Sequence, residues 1–207
     1  MSRAVVISID SLFTSDIKFL EELPNFKKIL KNASIVKNIN CIYPTLTYPC
    51  HTTIVSGVYP DKHGIGHNEK LELNEKMPEW YWYSKDIKCD TIIDLAKKNN
   101  ITTSTILWPV TGGCKADHNI AEIWTKDENE DHFKVYDNSC SKHLMKTVYP
   151  KYSHIINWNR EPFLDEFGVS CAEDIIKEYK PELMLIHLAY LDHTRHHHGL
   201  YEKEVIN

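Results

Sequence analysis

The sequence has no Lys- or Arg-rich stretch and no hydrophobic run long enough to cross a membrane. Its 24 basic and 29 acidic residues give a formal net charge of -5. This balance predicts neither a groove for a nucleic-acid polymer nor a patch that binds a membrane surface. The apolar run at residues 4–9 is too short for a signal-peptide core and is ended by Asp10. We therefore expect a cytoplasmic protein that does not associate with membranes.

Motifs of several other protein classes are also missing. There is no Cys-x-x-Cys pair, so the six cysteines predict neither a zinc knuckle nor a disulfide framework. The sequence has no Gly-x-Ser-x-Gly elbow of a serine hydrolase and no Gly-x-x-x-x-Gly-Lys phosphate loop. A sulfatase is disfavoured because residues 50–54 lack the proline and arginine of a Cys-x-Pro-x-Arg motif.

Three apolar runs have the composition of strands that are buried on both faces of a parallel sheet. They are Val5–Ile9, Thr103–Leu107 and Leu183–Leu188. The second and third runs follow helical patterns at residues 89–98 and 169–179. This alternation of helix and buried strand predicts an α/β fold with a mainly parallel sheet flanked by helices.

Other segments give less regular patterns. Residues 25–31 predict a short helix, and residues 34–39 predict a further strand. Residues 125–160 are polar and aromatic without a clear period, so we expect an insertion over the sheet. No internal repeat or linker is visible, and we expect a single domain over residues 1–207.

Two acidic residues follow predicted strands. Asp10 comes directly after Ile9, and Asp192 lies four residues beyond Leu188. Open α/β sheets bind their ligands outside the carboxyl ends of the strands. We therefore expect the two acids to face one crevice, although 182 positions separate them. Each acid alone is equally consistent with a helix cap.

Thr47 lies between Pro44 and Pro49, just before a segment compatible with a helix at residues 50–56. A hydroxyl at a helix N-terminus lies where free N–H groups and the helix dipole favour an anion. Such a hydroxyl, next to a divalent cation, is suited to attack phosphorus. The same position is consistent with a simple helix cap.

Asp192 and His196 are four residues apart, so on a helical turn both side chains face one side, as two ligands of one cation must. The neighbouring candidates His193, His197 and His198 lack this spacing from Asp192. The alternative is a solvent-exposed, His-rich segment without a specific ligand.

In these features the chain resembles the type I phosphodiesterase/nucleotide pyrophosphatase family of the alkaline phosphatase superfamily. The most specific part is Pro-Thr-x-Thr-aromatic-Pro-x-His at Pro44–His51. The other matching segments are the strand that ends at Asp10, Ile54–Pro60, His63–Ile65, Asn68, Pro78–Trp80, Trp108–Pro109, and the pair Asp192 and His196.

The resemblance implies an alkaline phosphatase-like fold and hydrolysis of phosphodiester or pyrophosphate bonds in small, nucleotide-like substrates. It implies that Thr47 is the catalytic nucleophile, carries the covalent intermediate and binds one metal ion together with Asp10. Asp192 and His196 are implied ligands of a second ion. We expect two divalent cations, with zinc as the first choice and manganese as the alternative.

Two further roles follow from the same resemblance. Asn68 corresponds to a catalytic amide that donates to a phosphoryl oxygen of the substrate. A neutral amide suits a diester, which carries one negative charge. Tyr48 corresponds to an aromatic residue that stacks on a nucleobase, so Tyr48 and Asn68 are the expected substrate-binding residues.

Two departures from the family pattern keep other readings open. Cys50 stands where animal members usually carry asparagine, so a local hydrogen bond is expected to be lost. The family also supplies metal ligands downstream of His196, so we expect residues 1–207 to be an incomplete half of a catalytic domain. The alternatives are an inactive fragment, a metal- or nucleotide-binding remnant, and a phosphonate hydrolase on the same scaffold.

Overall fold

The computed structural model describes residues 3–125, 130–157, 160 and 162–206. Four parallel strands form one sheet in the order β1-β4-β2-β3. The strands are β1 (Ala4–Ile9), β2 (Thr103–Ile106), β3 (His118–Ile120) and β4 (Leu183–Leu188). The α/β architecture predicted from the sequence, with a parallel sheet and flanking helices, is therefore confirmed.

The helices are mostly short. The α-helices are α1 (Ile17–Leu20), α2 (Pro24–Leu30), α3 (Thr47–Ser56), α4 (Pro60–His63), α5 (Ile92–Lys98), α6 (His132–Ser139), α7 (Lys142–Thr147), α8 (Tyr149–Tyr152), α9 (Phe163–Glu178), α10 (Tyr190–His198) and α11 (Lys203–Ile206). Single 3₁₀ turns lie at Thr14–Asp16, Ser84–Asp86 and Ser153–Ile155. In the described part of the chain, no helix is long and apolar enough to span a bilayer.

Strand β4 is an inner strand of the sheet, between β1 and β2, and it sets the position of the two acidic residues. Its register pairs Ile9 of β1 with Leu188, so the two strands end side by side. The backbone N–H of Asp10 continues the ladder by donating to the carbonyl of Leu188 at 2.9 Å. Because parallel strands end at the same edge, the residues that follow β1 and β4 face one crevice.

Helix α9 covers one face of the sheet and approaches it closely at Gly168. A Cβ atom at this position would lie 2.5 Å from Cδ1 of Leu107, so a larger residue would force the Leu107 side chain or the helix to shift. Within the helical pattern predicted at residues 169–179, Ala172 and Ile175 are buried. Val169 and Ile176 are exposed instead, because the face against the sheet is centred on Phe167 and Cys171.

The prediction that β1 is buried on both faces is wrong. It is an edge strand of this sheet, and its only strand partner among the described residues is β4. Val5, Val6 and Ile7 are 51%, 40% and 57% exposed. The composition of a strand reports which environment it suits, whereas its burial depends on elements from elsewhere in the chain.

The strand predicted at residues 34–39 is also wrong, because this segment has no regular secondary structure. Val36 and Ile39 lie in a largely exposed position. An alternating segment becomes a strand only when a sheet edge pairs with it. The helix predicted at residues 25–31 is confirmed as α2, which begins one residue earlier at Pro24.

Residues 130–157 contain three short helices, α6 to α8, and a 3₁₀ turn. Tyr136, Leu144 and Val148 from these helices are buried in the same apolar cluster as Ile106 and Ile186 of the sheet. The described part of the stretch thus contributes to the main core. Its interpretation as an insertion within one domain stays a prediction, and residues 126–129, 158, 159 and 161 lie outside the described residues.

Candidate active site

A cleft of about 850 Å³ opens at the carboxyl ends of β1 and β4. Every site residue predicted from the sequence contributes to its lining: Asp10, Thr47, Tyr48, Asn68, Asp192 and His196. The fold therefore brings together residues from the two ends of the chain and from the segment between them.

Thr47 is the first residue of α3. Leu46 before it has an extended backbone, with φ -97° and ψ 151°, and the helix ends at Gly57, whose φ of 69° is left-handed. The Thr47 hydroxyl donates a hydrogen bond of 3.0 Å to Oδ2 of Asp10. The hydroxyl thus lies both at a helix N-terminus and beside a carboxylate at the end of β1.

His51, one turn further along α3, fastens this helix to β1. Its Nδ1 donates to the Thr47 carbonyl at 2.8 Å, because a carbonyl can only accept. In the neutral ring Nε2 then accepts the hydroxyl of Ser8, also at 2.8 Å. Burial, together with the nearby charge of His187, lowers the pKa of His51 to about 4. The family motif contains His51, but its structural role was not predicted.

Asn68 lies beside the start of α3. Its Oδ1 accepts the backbone N–H of Tyr48 at 2.9 Å. Because the side-chain oxygen is the acceptor in this contact, the NH₂ group is the part of the amide that is able to donate. This arrangement ties Asn68 to the first turn of α3, next to Thr47.

Asp10, His187 and Glu122 form an acid–histidine–acid chain beneath the cleft. His187 of β4 has Nε2 at 3.5 Å from Oδ2 of Asp10 and Nδ1 at 3.5 Å from Oε1 of Glu122. Burial alone would lower the pKa of His187, but the attraction of Glu122 and the contact with Asp10 raise it to about 10. In return, His187 holds the pKa of Asp10 below its usual value, against the opposing effect of burial.

The sequence interpretation missed His187 and Glu122. A weak signal was available for His187, since it is a polar residue inside the otherwise apolar run Leu183–Leu188. Glu122 follows β3 closely and gives a similar signal, since it is a charged residue between Ile120-Ala121 and Ile123-Trp124. Both side chains are buried, so each needs a partner of opposite charge.

Asp192 and His196 lie on the same side of α10, with Oδ2 and Nε2 3.4 Å apart. The predicted helical relation between them is therefore present. Ser11 connects this pair to Asp10: its backbone N–H donates to Oδ1 of Asp10 at 2.9 Å, and its hydroxyl donates to Oδ1 of Asp192. Ser11 has a left-handed backbone with φ 59°, and it too was missed by the sequence interpretation.

Tyr48 does not have the geometry expected for stacking on a nucleobase. The residue is only 1% exposed, and its ring packs edge-on against Trp80 and Trp82 at centroid distances of 5.3 and 6.1 Å. The large apolar ring is buried by the tryptophans that follow Asn68 in sequence. Trp80 and Trp124, which also line the cleft, are less buried than Tyr48.

The donor chemistry of the cleft fits divalent cations. Asp10 and the Thr47 hydroxyl form one oxygen pair, and Asp192 with His196 forms a second pair of an oxygen and a nitrogen. Carboxylate, hydroxyl and imidazole are ordinary ligands of zinc, and manganese also accepts oxygen-rich sets. Within the described residues, no group of three or more His, Cys, Asp or Glu side chains is arranged to hold a metal ion.

Comparisons with known proteins agree with the sequence resemblance. The family model "Type I phosphodiesterase / nucleotide pyrophosphatase" matches residues 4–207. Human ectonucleotide pyrophosphatase/phosphodiesterase family member 1 is 27% identical over 195 residues, which cover 89% of this chain and 17% of the human protein. A pyrophosphatase/phosphodiesterase of Schizosaccharomyces pombe is 24% identical over 208 residues, which cover 96% of this chain and 36% of the yeast protein.

Solved structures share the fold. Phosphonoacetate hydrolase from Sinorhizobium meliloti, in complex with phosphonoacetate, superposes with a TM-score of 0.70 at 15% identity and covers 99% of this chain. An inactive threonine-to-alanine form of murine ectonucleotide pyrophosphatase/phosphodiesterase 5, in complex with AMP, gives 0.59 at 18% identity and covers all of it.

The chain spans 50% and 49% of those two solved chains, and a smaller share of the human and yeast relatives. The family model, in contrast, matches almost the whole of this chain, residues 4–207. The sheet, the helix that begins at Thr47 and the sequence match lead to one conclusion. The chain belongs to the type I phosphodiesterase/nucleotide pyrophosphatase family.

Proposed function

We propose that this chain provides the nucleophile and four metal-binding side chains of a hydrolase for phosphodiester or pyrophosphate bonds. The observation that carries the proposal is the hydrogen bond of 3.0 Å from the Thr47 hydroxyl to Asp10 at the start of α3. The substrate is a small phosphodiester or nucleotide that enters the cleft lined by Thr47 and Asn68. AMP in the structurally similar murine protein supports this substrate class.

Thr47 is the nucleophile in this proposal. Its hydroxyl gives up its proton to solvent, the oxygen attacks phosphorus in line with the leaving oxygen, and the bond to the leaving group breaks as that oxygen takes up a proton. The product of this step is a phosphorylated or nucleotidylated threonine, which water then hydrolyses. Asp10 orients the hydroxyl before the attack, since it accepts the hydrogen bond that fixes the direction of the oxygen lone pairs.

Asn68 contacts the phosphoryl group. Its carbonyl oxygen is held by the Tyr48 N–H, so the NH₂ group donates to a non-bridging oxygen of the substrate. A neutral donor suits a diester, which carries one negative charge, better than a monoester, which carries an additional one. The helix dipole at Thr47 adds a partial positive charge on the same side.

Asp10 and Thr47 are the proposed ligands of one divalent cation, and Asp192 and His196 of a second one. Bound cations would lower the pKa of the Thr47 hydroxyl and neutralise charge on the phosphoryl oxygens. A catalytic zinc ion usually has three protein ligands, and each of these pairs supplies only two. We therefore propose that further metal-binding residues, outside the described ones, complete both ligand sets.

A second candidate is hydrolysis of a phosphonate. It is favoured by the TM-score of 0.70 to a phosphonoacetate hydrolase over 99% of this chain, a likeness that extends to the fold alone. The two candidates share the nucleophile and differ in the bond that is cleaved. Parallel assays with a phosphodiester and with phosphonoacetate separate them.

The test is hydrolysis of a chromogenic phosphodiester with zinc supplied, by the wild-type chain and by Thr47→Ala. Thr53→Ala is a matched control, because Thr53 lies on the same helix and its hydroxyl contacts His63 instead of Asp10. Any turnover by the wild type should be matched by the control and absent in Thr47→Ala, and the peptide containing Thr47 should carry phosphoryl mass. Equal turnover in Thr47→Ala would remove Thr47 as the nucleophile.

A folded chain that binds zinc but turns over neither substrate would show that residues 1–207 are inactive by themselves. The assay would then be repeated with polypeptide that supplies the remaining metal-binding side chains. Turnover of phosphonoacetate alone would favour the second candidate.

A further inference from the structure

Two cysteines meet at the rim of the cleft. Cys41 precedes the segment that leads to Thr47, and Cys50 follows Thr47 by three residues in the first turn of α3. Their sulfur atoms are 3.3 Å apart. Cys41 is exposed and Cys50 is half-buried, and both line the cleft.

This sulfur separation is close to contact and only slightly more than 1 Å longer than a disulfide bond of about 2.05 Å. The two sulfur atoms therefore need to approach by little more than 1 Å to reach bonding distance. The other four cysteines have different surroundings. Cys140 accepts the backbone N–H of Ala121 at 3.2 Å, Cys114 lies 3.8 Å from the Thr105 hydroxyl, Cys171 is buried, and Cys89 is half-buried.

We propose that Cys41 and Cys50 are a thiol modification site that forms a reversible disulfide across the segment carrying Thr47. The ring closed by this bond includes residues 41–50 and therefore the proposed nucleophile. Residues 41–46 form no helix or strand. The cross-link would therefore restrict a segment whose backbone is not held by the hydrogen bonds of regular secondary structure.

The oxidant is a low-molecular-weight disulfide such as oxidised glutathione. The thiolate of the exposed Cys41 attacks one of its sulfur atoms, the S–S bond of the oxidant breaks, and one reduced thiol leaves. The Cys50 sulfur then attacks the Cys41 sulfur, and the second reduced thiol leaves. The two protein thiols lose two electrons and two protons, and the oxidant becomes two thiols.

The order of attack follows from exposure and from charge. Burial raises the pKa of Cys50 to about 12, with a further contribution from the adjacent Cys41 thiol. Since the thiolate is the attacking species, Cys50 is the slower of the two to react with a reagent in solution. Cys41 is therefore the entry point, and Cys50 is the sulfur that completes the bond.

Two consequences of the bond are measurable without any catalytic assay. Closing a short loop removes conformational freedom from the unfolded chain, so the oxidised protein melts several degrees higher than the reduced one. The bond also joins two side chains that border the cleft, which makes both thiols inaccessible to alkylation.

Digestion with trypsin provides a direct readout. No Lys or Arg lies between Lys37 and Lys62, so both cysteines fall in one peptide, residues 38–62. The chain is equilibrated in buffers with increasing ratios of oxidised to reduced glutathione, alkylated and digested. The single variants Cys41→Ser and Cys50→Ser are treated in parallel, with Cys89→Ser as the control that retains the pair.

We expect the wild type and Cys89→Ser to yield peptide 38–62 lighter by two hydrogen atoms and without alkyl groups. Reduction should restore two alkylation sites, and the two single variants should form only a mixed disulfide with glutathione. The oxidised wild type should melt higher than its reduced form, whereas Cys41→Ser should show no such difference.

Three outcomes would overturn the proposal. The first is that both thiols remain free in oxidised glutathione while the protein is folded. The second is that each thiol is capped by its own glutathione without an internal bond. The third is that zinc alone, without an oxidant, protects both thiols from alkylation in an Asp10→Ala variant, which would identify a thiolate metal site instead.

Discussion

The hydroxyl of Thr47 donates to the carboxylate of Asp10 at 3.0 Å, across 37 positions of sequence. Thr47 begins helix α3, and Asp10 follows the last residue of β1, so the contact joins a helix to a strand. His51 strengthens this junction through Ser8 of the same strand. The position of the proposed nucleophile therefore depends on how α3 sits against the end of the sheet.

Asn68 is predicted to act as a donor and not merely as an anchor for α3. Asn68→Ala removes both the NH₂ group and the oxygen that accepts the Tyr48 N–H, whereas Asn68→Asp keeps the acceptor and loses the donor. We expect both variants to lower kcat by roughly 10²- to 10³-fold, as for other lost oxyanion donors. Near-normal turnover in Asn68→Asp would limit Asn68 to a positioning role.

The second metal pair is predicted to control zinc content. Asp192→Asn and His196→Gln each remove one ligand from the pair at 3.4 Å, so zinc bound after dialysis should fall in both variants. His198→Ala is the control on the same helix, because His198 lacks the four-residue spacing from Asp192. Zinc content equal to the wild type in Asp192→Asn and His196→Gln would show that this pair is misassigned.

The buried His187 makes the stability of the metal-free chain depend on alkaline pH. Its pKa is raised from 6.5 to about 10 in the folded chain, although burial alone would lower it. Below pH 6.5 the ring is protonated in both states, and its attraction to Glu122 and Asp10 stabilises the fold in full. This contribution is lost as the pH rises from 6.5 through about 10, because the unfolded chain releases the proton first.

Denaturant unfolding in the presence of a chelator, repeated across that pH range, measures this loss. The variant Glu122→Gln removes the main attraction that raises the pKa of His187, so its loss of stability should begin at lower pH. A free energy of unfolding with the same pH profile in the wild type and in Glu122→Gln would contradict the assignment.

A buried ion pair beside the cleft is predicted to matter for stability. Arg195 donates two hydrogen bonds of 2.9 Å to the carboxylate of Asp16, and its guanidinium lies 4.3 Å from the Phe13 ring centre. Removing one partner leaves a buried charge unpaired, so Arg195→Met and Asp16→Asn should each cost about 3–5 kcal/mol. Urea unfolding at neutral pH gives the measurement.

The double variant Asp16→Asn/Arg195→Met should be less destabilised than the sum of the two single variants, because no isolated charge remains. As a comparison, Lys177→Met breaks an exposed pair with Glu173 and should leave the free energy of unfolding close to that of the wild type. Additive losses in the double variant would show that Asp16 and Arg195 act independently.

Local sequence was sufficient for much of the fold. The strand at Leu183–Leu188 was predicted with the bounds that the structure has. The helical segment predicted at residues 50–56 lies within α3, which begins three residues earlier at Thr47. Helix starts, apolar runs and strand ends depend on residues that are neighbours along the chain. The rule that ligands bind at the carboxyl ends of parallel strands then placed Asp10 and Asp192 in one crevice.

Contacts between distant residues were beyond local sequence. Tyr48 lies within the matching motif and its role stays a prediction, but sequence did not indicate that the tryptophans at positions 80 and 82 bury its ring. Val5–Ile7 have the composition of a central strand, but β1 lies at the edge of this sheet and leaves them exposed. Burial is a property of the assembled layers, so composition alone does not determine it.

The amino-acid sequence was sufficient to predict the class of fold and the residues that form the family motif. It did not reveal that Ser11 links Asp10 to Asp192, that Glu122 and Asp10 share His187, or that Cys41 meets Cys50. Periodicity and motifs record short-range constraints. The network beneath the cleft depends on side-chain distances that exist only after the strands have paired and the helices have packed against them.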